Sequence, residues 1–265
     1  MVVSFRSAEG KPAPSNAGAG AANVVWHDVE CGSYGADLAL WRELAEDADP
    51  GRAAGAILEV GAGTGRVALD LLRAGHRVTA LDIDDQLLVT LRERAGGATL
   101  ETVCADARTF ELDSRDFALC LVPMQTVQLL GGSGERIAFL RRAHAHLRRG
   151  GLLACAIVTE LAPFDCAAGD VGPSADVGRS GGELYVSRAV RVSVRMRSIL
   201  IEREREILTA EQAVRASERD VIELARLSAA QLEREAAKAG FTPAASRSIA
   251  ATEEHVGSAV VMLRA

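Results

Sequence analysis

The chain has 265 residues, 48% of them hydrophobic, and a formal net charge of -6, which leaves room for the core of one α/β domain with an elaboration. The acidic balance argues against a general nucleic-acid binder, and no apolar run approaches the length of a membrane span. Cys31, Cys104, Cys120, Cys155 and Cys166 form neither a CxxC nor a zinc-spaced cluster; without a signal peptide they point to a soluble protein of the reducing cytoplasm, with no metal site.

Met1 to Asn23, rich in Ala, Gly, Ser and Pro, is expected to be a disordered tail ahead of a domain covering 24–265. Leu38, Trp41 and Ala45 then recur at helical spacing within Tyr34 to Glu46, and Asp49-Pro50-Gly51 stops that helix. Ile57, Leu58 and Val60 predict a short strand buried on both faces. Gly61, Gly63 and Gly65 follow as a turn in which the backbone can come close to a ligand, and Val67, Leu71 and Leu72 open a helix from it. Strand, turn and helix make a pocket for a polar ligand.

The spacing narrows the ligand. A dinucleotide fingerprint places its last glycine one residue later than Gly65, where this chain has Arg66. Glu59, just before the turn, would repel a pyrophosphate and favour a cationic amino group or sulfonium. The stretch Glu59-Val60-Gly61-Ala62-Gly63-Thr64-Gly65 resembles the first motif of the class I S-adenosylmethionine (SAM)-dependent methyltransferases. The resemblance implies that Glu59, Gly61, Gly63 and the nearby backbone of Ala62, Thr64 and Gly65 hold the methionine part of SAM. It assigns Asp82 to the ribose, Ile83 to the same cofactor site, and Asp106 with Ala107 to the adenine. Val122 would line the pocket beside the sulfonium. It also implies that the helix carrying Trp41 covers the cofactor, which makes His27, Tyr34 and Trp41 candidate pocket residues, with core packing the alternative for Trp41.

Gly75 reads as the end of the first crossover helix, and Val78 to Ile83 as a second strand closing in Leu81-Asp82-Ile83-Asp84. An acid about 20 residues past the turn suits the ribose of either SAM or NAD. Asp84 or Asp85 caps the next helix. Leu100 to Cys104 is a third strand leading to Asp106, and Phe117 to Val122 a fourth, continuously apolar one. Pro123 to Gln128 lies where a transferred methyl would emerge; it lacks the Asn/Asp-Pro-Pro-Tyr/Phe sequence of DNA amino-methylating enzymes, and Gln125 and Gln128 can orient a substrate without removing a proton. A helix from Gly134 to Leu147 is expected to end at Gly150-Gly151, ahead of a fifth strand at Leu152 to Val158.

Glu160 to Gly182 then reads as a long loop, a lid or entrance segment. From Glu183 to Leu208 the period is two, with Glu202-Arg203-Glu204-Arg205-Glu206 alternating in sign; cross-strand Arg–Glu pairs on a wet surface are expected there, an arginine face for an acidic substrate being the alternative. Ser228 caps a helix stopped by Gly240, and a terminal hairpin carries Thr252 to Gly257 between its strands. His255 in that loop titrates near neutrality, and with Tyr34 it is the candidate base.

The expected architecture is a doubly wound, mostly parallel seven-stranded α/β sheet with a terminal antiparallel hairpin strand and an antiparallel β-insert at 160–226 after strand five. The expected function is SAM-dependent methyl transfer to an O or N atom of a small molecule, with no nucleic-acid or membrane partner and with a homodimer allowed. An NAD-dependent oxidoreductase and a catalytically silent SAM-binding module are the alternatives. Glu59, Arg66 and the terminal hairpin oppose the first.

Overall fold

The computed structural model describes residues 17–49 and 57–265. The expected tail before Ala17 and the stop at Pro50-Gly51 lie outside them. In chain order the elements are α1 (Ala17–Cys31), α2 (Leu38–Ala48), β1 (Ile57–Val60), α3 (Arg66–Arg73), β2 (Val78–Asp82), α4 (Asp85–Ala95), β3 (Leu100–Cys104), β4 (Phe117–Val122), α5 (Thr126–Leu129), α6 (Ser133–His146) and β5 (Leu147–Ile157). Then come β6 (Phe164–Asp165), β7 (Asp176–Ser180), β8 (Glu183–Val194), β9 (Ser198–Leu208), β10 (Val214–Ala225), α7 (Ala229–Ala237), β11 (Thr242–Pro243), β12 (Arg247–Ile249) and β13 (Ser258–Arg264). Two compact units result: one from Gly35–Thr159, Leu227–Thr252 and Gly257–Ala265, the other from Glu160–Arg226, Glu253–Val256 and the chain up to Tyr34.

The first unit holds an eight-stranded sheet in the order β11-β13-β5-β4-β1-β2-β3, with β12 also on β13. β1 lies between β2 and β4 and is parallel to both, and β13 enters antiparallel beside β5. The sheet is thus mainly parallel with an antiparallel terminal strand, as expected, but the outer hairpin strand is split into β11 and β12. β1 and β4 are buried at every position because sheet neighbours flank them and their residues are apolar throughout, Glu59 excepted. The core joins Leu58, Val60, Cys120, Val122, Phe139, Leu140, Cys155, Val261 and Leu263. The Asp84 side chain accepts from Gln86 N at 2.9 Å and the Ser228 hydroxyl from Gln231 N at 3.2 Å, so both predicted caps form.

Two local expectations fail here. α6 ends at His146 and β5 starts at once, so Gly150-Gly151 lies inside β5, where the register with β4 shifts between Phe117 and Leu119. The glycines serve a strand irregularity, not a helix stop. Likewise the helix containing Trp41 begins at Leu38, burying Leu40, Trp41, Leu44 and Ala45.

The second unit is a five-stranded antiparallel sheet, β10-β9-β8-β6, with β7 also on β8. Glu160 to Gly182, expected as a loop, supplies β6, a short 3-10 turn at Cys166–Ala168 and β7, whose backbone pairs with β8 from Asp176↔Ser187 to Ser180↔Glu183. α1 takes in Ala17 to Asn23, which composition had assigned to the tail. Its Trp26 and Val29 pack with Tyr185 and Ile207, and the Trp26 and Tyr185 rings meet edge to face at 5.0 Å. That apolar contact stabilises a helix whose glycines and alanines alone would leave it marginal.

Candidate functional site

The glycine turn closes β1 as the sequence requires. Gly61 sits at φ 76°, and a Cβ on it would lie 2.5 Å from Thr126 Cγ2, so a side chain is excluded by backbone and space together. Gly65, at φ 96°, leaves room for Leu91 of α4; a Cβ there would be 2.2 Å from Leu91 Cδ1. The N–H groups of Gly61 and Ala62 both donate to Leu81 O, at 2.8 and 3.1 Å, and Gly63 N donates to Asp82 Oδ2 at 2.8 Å. The bend is therefore strapped to the end of β2, and Ala62 and Thr64 are buried within it.

Two carboxylates stand at this end of the sheet with little solvent. Glu59 is 2% exposed and its Oε2 has no hydrogen-bond partner among the described residues. Burial pushes its carboxyl up to about 8, against the opposing pull of Arg66. Asp82 is pushed up to about 6, again by burial, although the N–H groups of Asp84 and Gly63 favour its ionised form. A buried carboxylate oxygen lacking a donor invites a cation or an N–H and rejects a diphosphate. That orphan oxygen beside a glycine bend fits the amino-acid end of SAM, and Asp82 retains lone pairs for a diol.

Arg66 was read only as a departure from the dinucleotide pattern. It forms a bidentate pair with Asp37, at 2.5 and 2.8 Å, and Asp37 also accepts from Trp41 Nε1 at 2.8 Å. The signal available in the sequence was an acid four residues before a buried Trp. Trp41 itself is fully buried, in accord with core packing.

Ile83 is 53% exposed directly after Asp82, an apolar surface open at the end of β2. Asp106 is engaged by Arg108, whose Nη2 reaches Oδ2 at 2.5 Å and whose main-chain N–H reaches Oδ1 at 2.8 Å. The guanidinium holds the Asp106 carboxyl below its usual range. Both side chains are partly solvated, and such a pair can exchange for another donor at small cost. Ala107 is nearly buried, while Val122 has no exposed surface and packs in the core.

Beyond β4 the chain turns sharply. Met124 adopts φ 55°, a left-handed conformation that a non-glycine residue takes only under constraint. Thr126 Oγ1 donates to Pro123 O at 3.0 Å. Gln128, a candidate for orienting substrate, instead clamps the main chain of Val158, donating to its oxygen at 3.0 Å and accepting from its nitrogen at 2.8 Å.

The other unit holds the two candidate bases. Tyr34 and His255 bring their ring centroids to 4.9 Å, although 221 positions apart in sequence by the difference of 255 and 34. The Arg-rich strands there depart from expectation. Arg191–Glu202 and Arg219–Glu204 are solvated pairs as read, but Arg203 and Arg205 are buried, together with Glu30 of α1. Arg205 grips Glu30 at 2.7 and 2.9 Å, and Arg203 binds Ser187 Oγ at 2.8 Å and Asp176. Alternation identifies which residues share a face; it does not identify the helix that covers that face.

Comparison with known proteins agrees with the geometry. Residues 57–151 match a family described as a methyltransferase domain. The cypemycin N-terminal methyltransferase of a Streptomyces species is 32% identical over 200 residues, which cover 74% of this chain and 78% of the relative. Among solved structures, the sugar N-methyltransferase KedS8 of a Streptoalloteichus species superposes with a TM-score of 0.67 at 18% identity, covering 98% of each chain. CalS10, a SAM-bound amino pentose methyltransferase of Micromonospora echinaspora, superposes at 0.63 with 21% identity over 97% of this chain and 99% of that one.

Proposed function

Because this chain belongs to the class I SAM-dependent methyltransferases, we propose that it methylates an oxygen or nitrogen of a small-molecule acceptor and not a nucleic acid. The observation that carries this reading is the buried, unpartnered Glu59 oxygen at a glycine bend that is itself tied to Asp82. SAM supplies, when bound, a methyl carbon already activated by its sulfonium. The residues that would hold it are Glu59 and the bend for the methionine part, Asp82 for the ribose, and Ile83, Asp106 and Ala107 for the adenosine. The protein then contributes alignment and exclusion of water, the main requirements of an in-line displacement.

An acceptor that must lose a proton also needs a base. We assign that role to Tyr34 and His255, whose rings lie in contact. The KedS8 enzyme is named a sugar N-methyltransferase and the cypemycin enzyme an N-terminal methyltransferase; a sugar nitrogen in the first name and the amino end of a chain in the second favour nitrogen over oxygen here. Five free thiols suit work in the cytoplasm.

Calorimetry tests the cofactor: SAM should bind and NAD should not. Production of S-adenosylhomocysteine with phenols, amines and sugars then tests the transfer. His255→Ala and Tyr34→Phe should each lower turnover with the SAM dissociation constant unchanged; a variant with wild-type turnover removes that residue from the mechanism.

A further inference from the structure

One polar atom of the turn beyond β4 has no structural use. Gln125 is 5% exposed, and its Oε1 finds no hydrogen-bond partner among the described residues. Its neighbours are all committed: Met124 is held left-handed, Thr126 is bonded to Pro123 O and abuts the Gly61 bend, and Gln128 is clamped on Val158. A loop this constrained cannot swing Gln125 out to water cheaply. An unpaired buried amide oxygen destabilises the fold, and a ligand carrying a donor removes that cost.

We propose that Gln125 is the acceptor-binding residue of this enzyme, its amide oxygen taking one N–H of an amine and so fixing the direction of the nitrogen lone pair. This rests on the methyl-transfer reading above and deepens it to a class of acceptor. An amide oxygen only accepts, and it is far too weak a base to remove a proton. A hydroxyl bound there would spend its single hydrogen on Gln125 and still require that proton to leave. An amine has N–H to spare. Once the base assigned above has taken a proton from the bound ammonium, the nitrogen lone pair forms the N–C bond as the methyl C–S bond breaks, the electron pair of that bond stays on sulfur, and the extra proton leaves the product ammonium for solvent.

The test uses the full-length protein with glucosamine, benzylamine and alanine tripeptide as amine probes, against glucose and phenol. Gln125→Met keeps the length of the side chain and loses the acceptor; Gln125→Glu keeps an acceptor without any N–H. The expected result is that Q125M loses roughly tenfold or more in kcat/KM for the amines, while its SAM affinity by calorimetry is unchanged and Q125E stays within about threefold of wild type. The amide turned over would offer donors instead, and then Q125E would fail along with Q125M. That outcome overturns the proposal, as does Q125M with wild-type turnover or with SAM affinity lost in parallel. Wild-type enzyme that binds SAM but methylates only the hydroxyl probes, or none of the amines, also overturns it. Failure of the wild type to bind SAM defeats instead the reading on which it rests.

Discussion

The main-chain nitrogen of Gly63 donates to Oδ2 of Asp82 at 2.8 Å, joining the bend after β1 to the carboxylate that ends β2. The same carboxylate accepts from Asp84 N at 3.0 Å through its other oxygen. Asp82 is therefore aimed before any ligand arrives, which reduces the ordering cost of binding. Its ionisation near pH 6 follows from burial. Above that pH it is an acceptor-only group suited to two ribose hydroxyls; below it, one oxygen carries a proton. SAM affinity of the wild type should fall between pH 7.5 and 5.5, most steeply near pH 6, and Asp82→Asn should bind roughly tenfold or more weakly and keep only the shallower fall that protonation of Glu59 gives. Calorimetry across this range checks both, and a fall as steep in D82N as in the wild type would assign it to another group.

Glu59 governs a second limb. Its folded carboxyl ionises at about 8, against 4.5 for an ordinary solvated glutamate. Between those values the folded chain keeps a proton that the unfolded chain has released, so stability declines as pH rises through the window and levels off above about 8. The loss is on the order of a few kcal/mol at most. Glu59→Gln should therefore gain stability relative to wild type as pH is raised from 5 to 8, measured by denaturant unfolding without ligand. A cation settling beside Glu59 expels its proton. SAM binding at pH 7 should accordingly release protons, seen as a buffer-dependent binding enthalpy, and E59Q should bind more weakly and release fewer.

The parts of this molecule set by local rules were legible in the sequence. Ile57 to Gly65, the caps at Asp84 and Ser228, and the acid at Asp82 depend on residues within a few positions or on one strand–turn–helix unit. What could not be read depends on which surfaces meet. Arg203 and Arg205 lie on the face of β9 that also carries Ile199, Ile201 and Ile207, and the sequence gives no means of knowing that α1 brings Glu30 to them. Gly150-Gly151 satisfies a helix-stop rule, but Leu147 pairs with Phe117 of β4 and the two glycines exchange main-chain hydrogen bonds with Ala265, which makes the stretch strand. The sequence spacing leaves Gln128 free to serve a substrate, but the chain leaving β5 brings the Val158 main chain onto its amide.

Asp37 and Arg66 form a pair that shapes the site from behind. Asp37 is fully buried and the Arg66 side chain only 10% exposed. Removing one member of a buried pair strands the other and costs about 3–5 kcal/mol, so Arg66→Met should lower the unfolding midpoint sharply. Arg66 is also the cation that opposes the rise of the Glu59 carboxyl. Its loss should raise the Glu59 carboxyl further and move to higher pH the limb over which SAM affinity rises as Glu59 ionises. Asp37→Asn with Arg66→Met, which removes both charges of the pair, should recover part of the stability and move that limb part of the way back, because the Asp37 carboxylate also raises the Glu59 carboxyl. A limb unmoved in R66M would show that Glu59 is shielded from it.

Glu30 makes a comparable anchor in the other unit, where it meets Arg205, Ser187 and Arg203, with the Arg205 guanidinium 5.5 Å from the Trp26 ring centre. Glu30→Ala leaves two buried guanidiniums sharing Asp176 and Asp220, a loss of about 3–5 kcal/mol for that unit. The helix should loosen before the sheet does, because its apolar contact is small: Trp26 and Val29 meet Tyr185 and Ile207, with Ala22 and Val25 partly buried beside them. Amide exchange should therefore accelerate along Val24 to Cys31 while Ile199 to Ile201 stays protected, and Trp26 emission should shift to the red. Replacing Glu30, Arg203 and Arg205 together with Met, Leu and Met, with Asp176→Asn and Asp220→Asn so that no carboxylate is stranded, should restore much of the stability, since well-packed apolar groups often match a buried ion pair. Unchanged exchange in E30A would mean that the apolar contacts alone hold α1, and that the ion pairs contribute little to its docking.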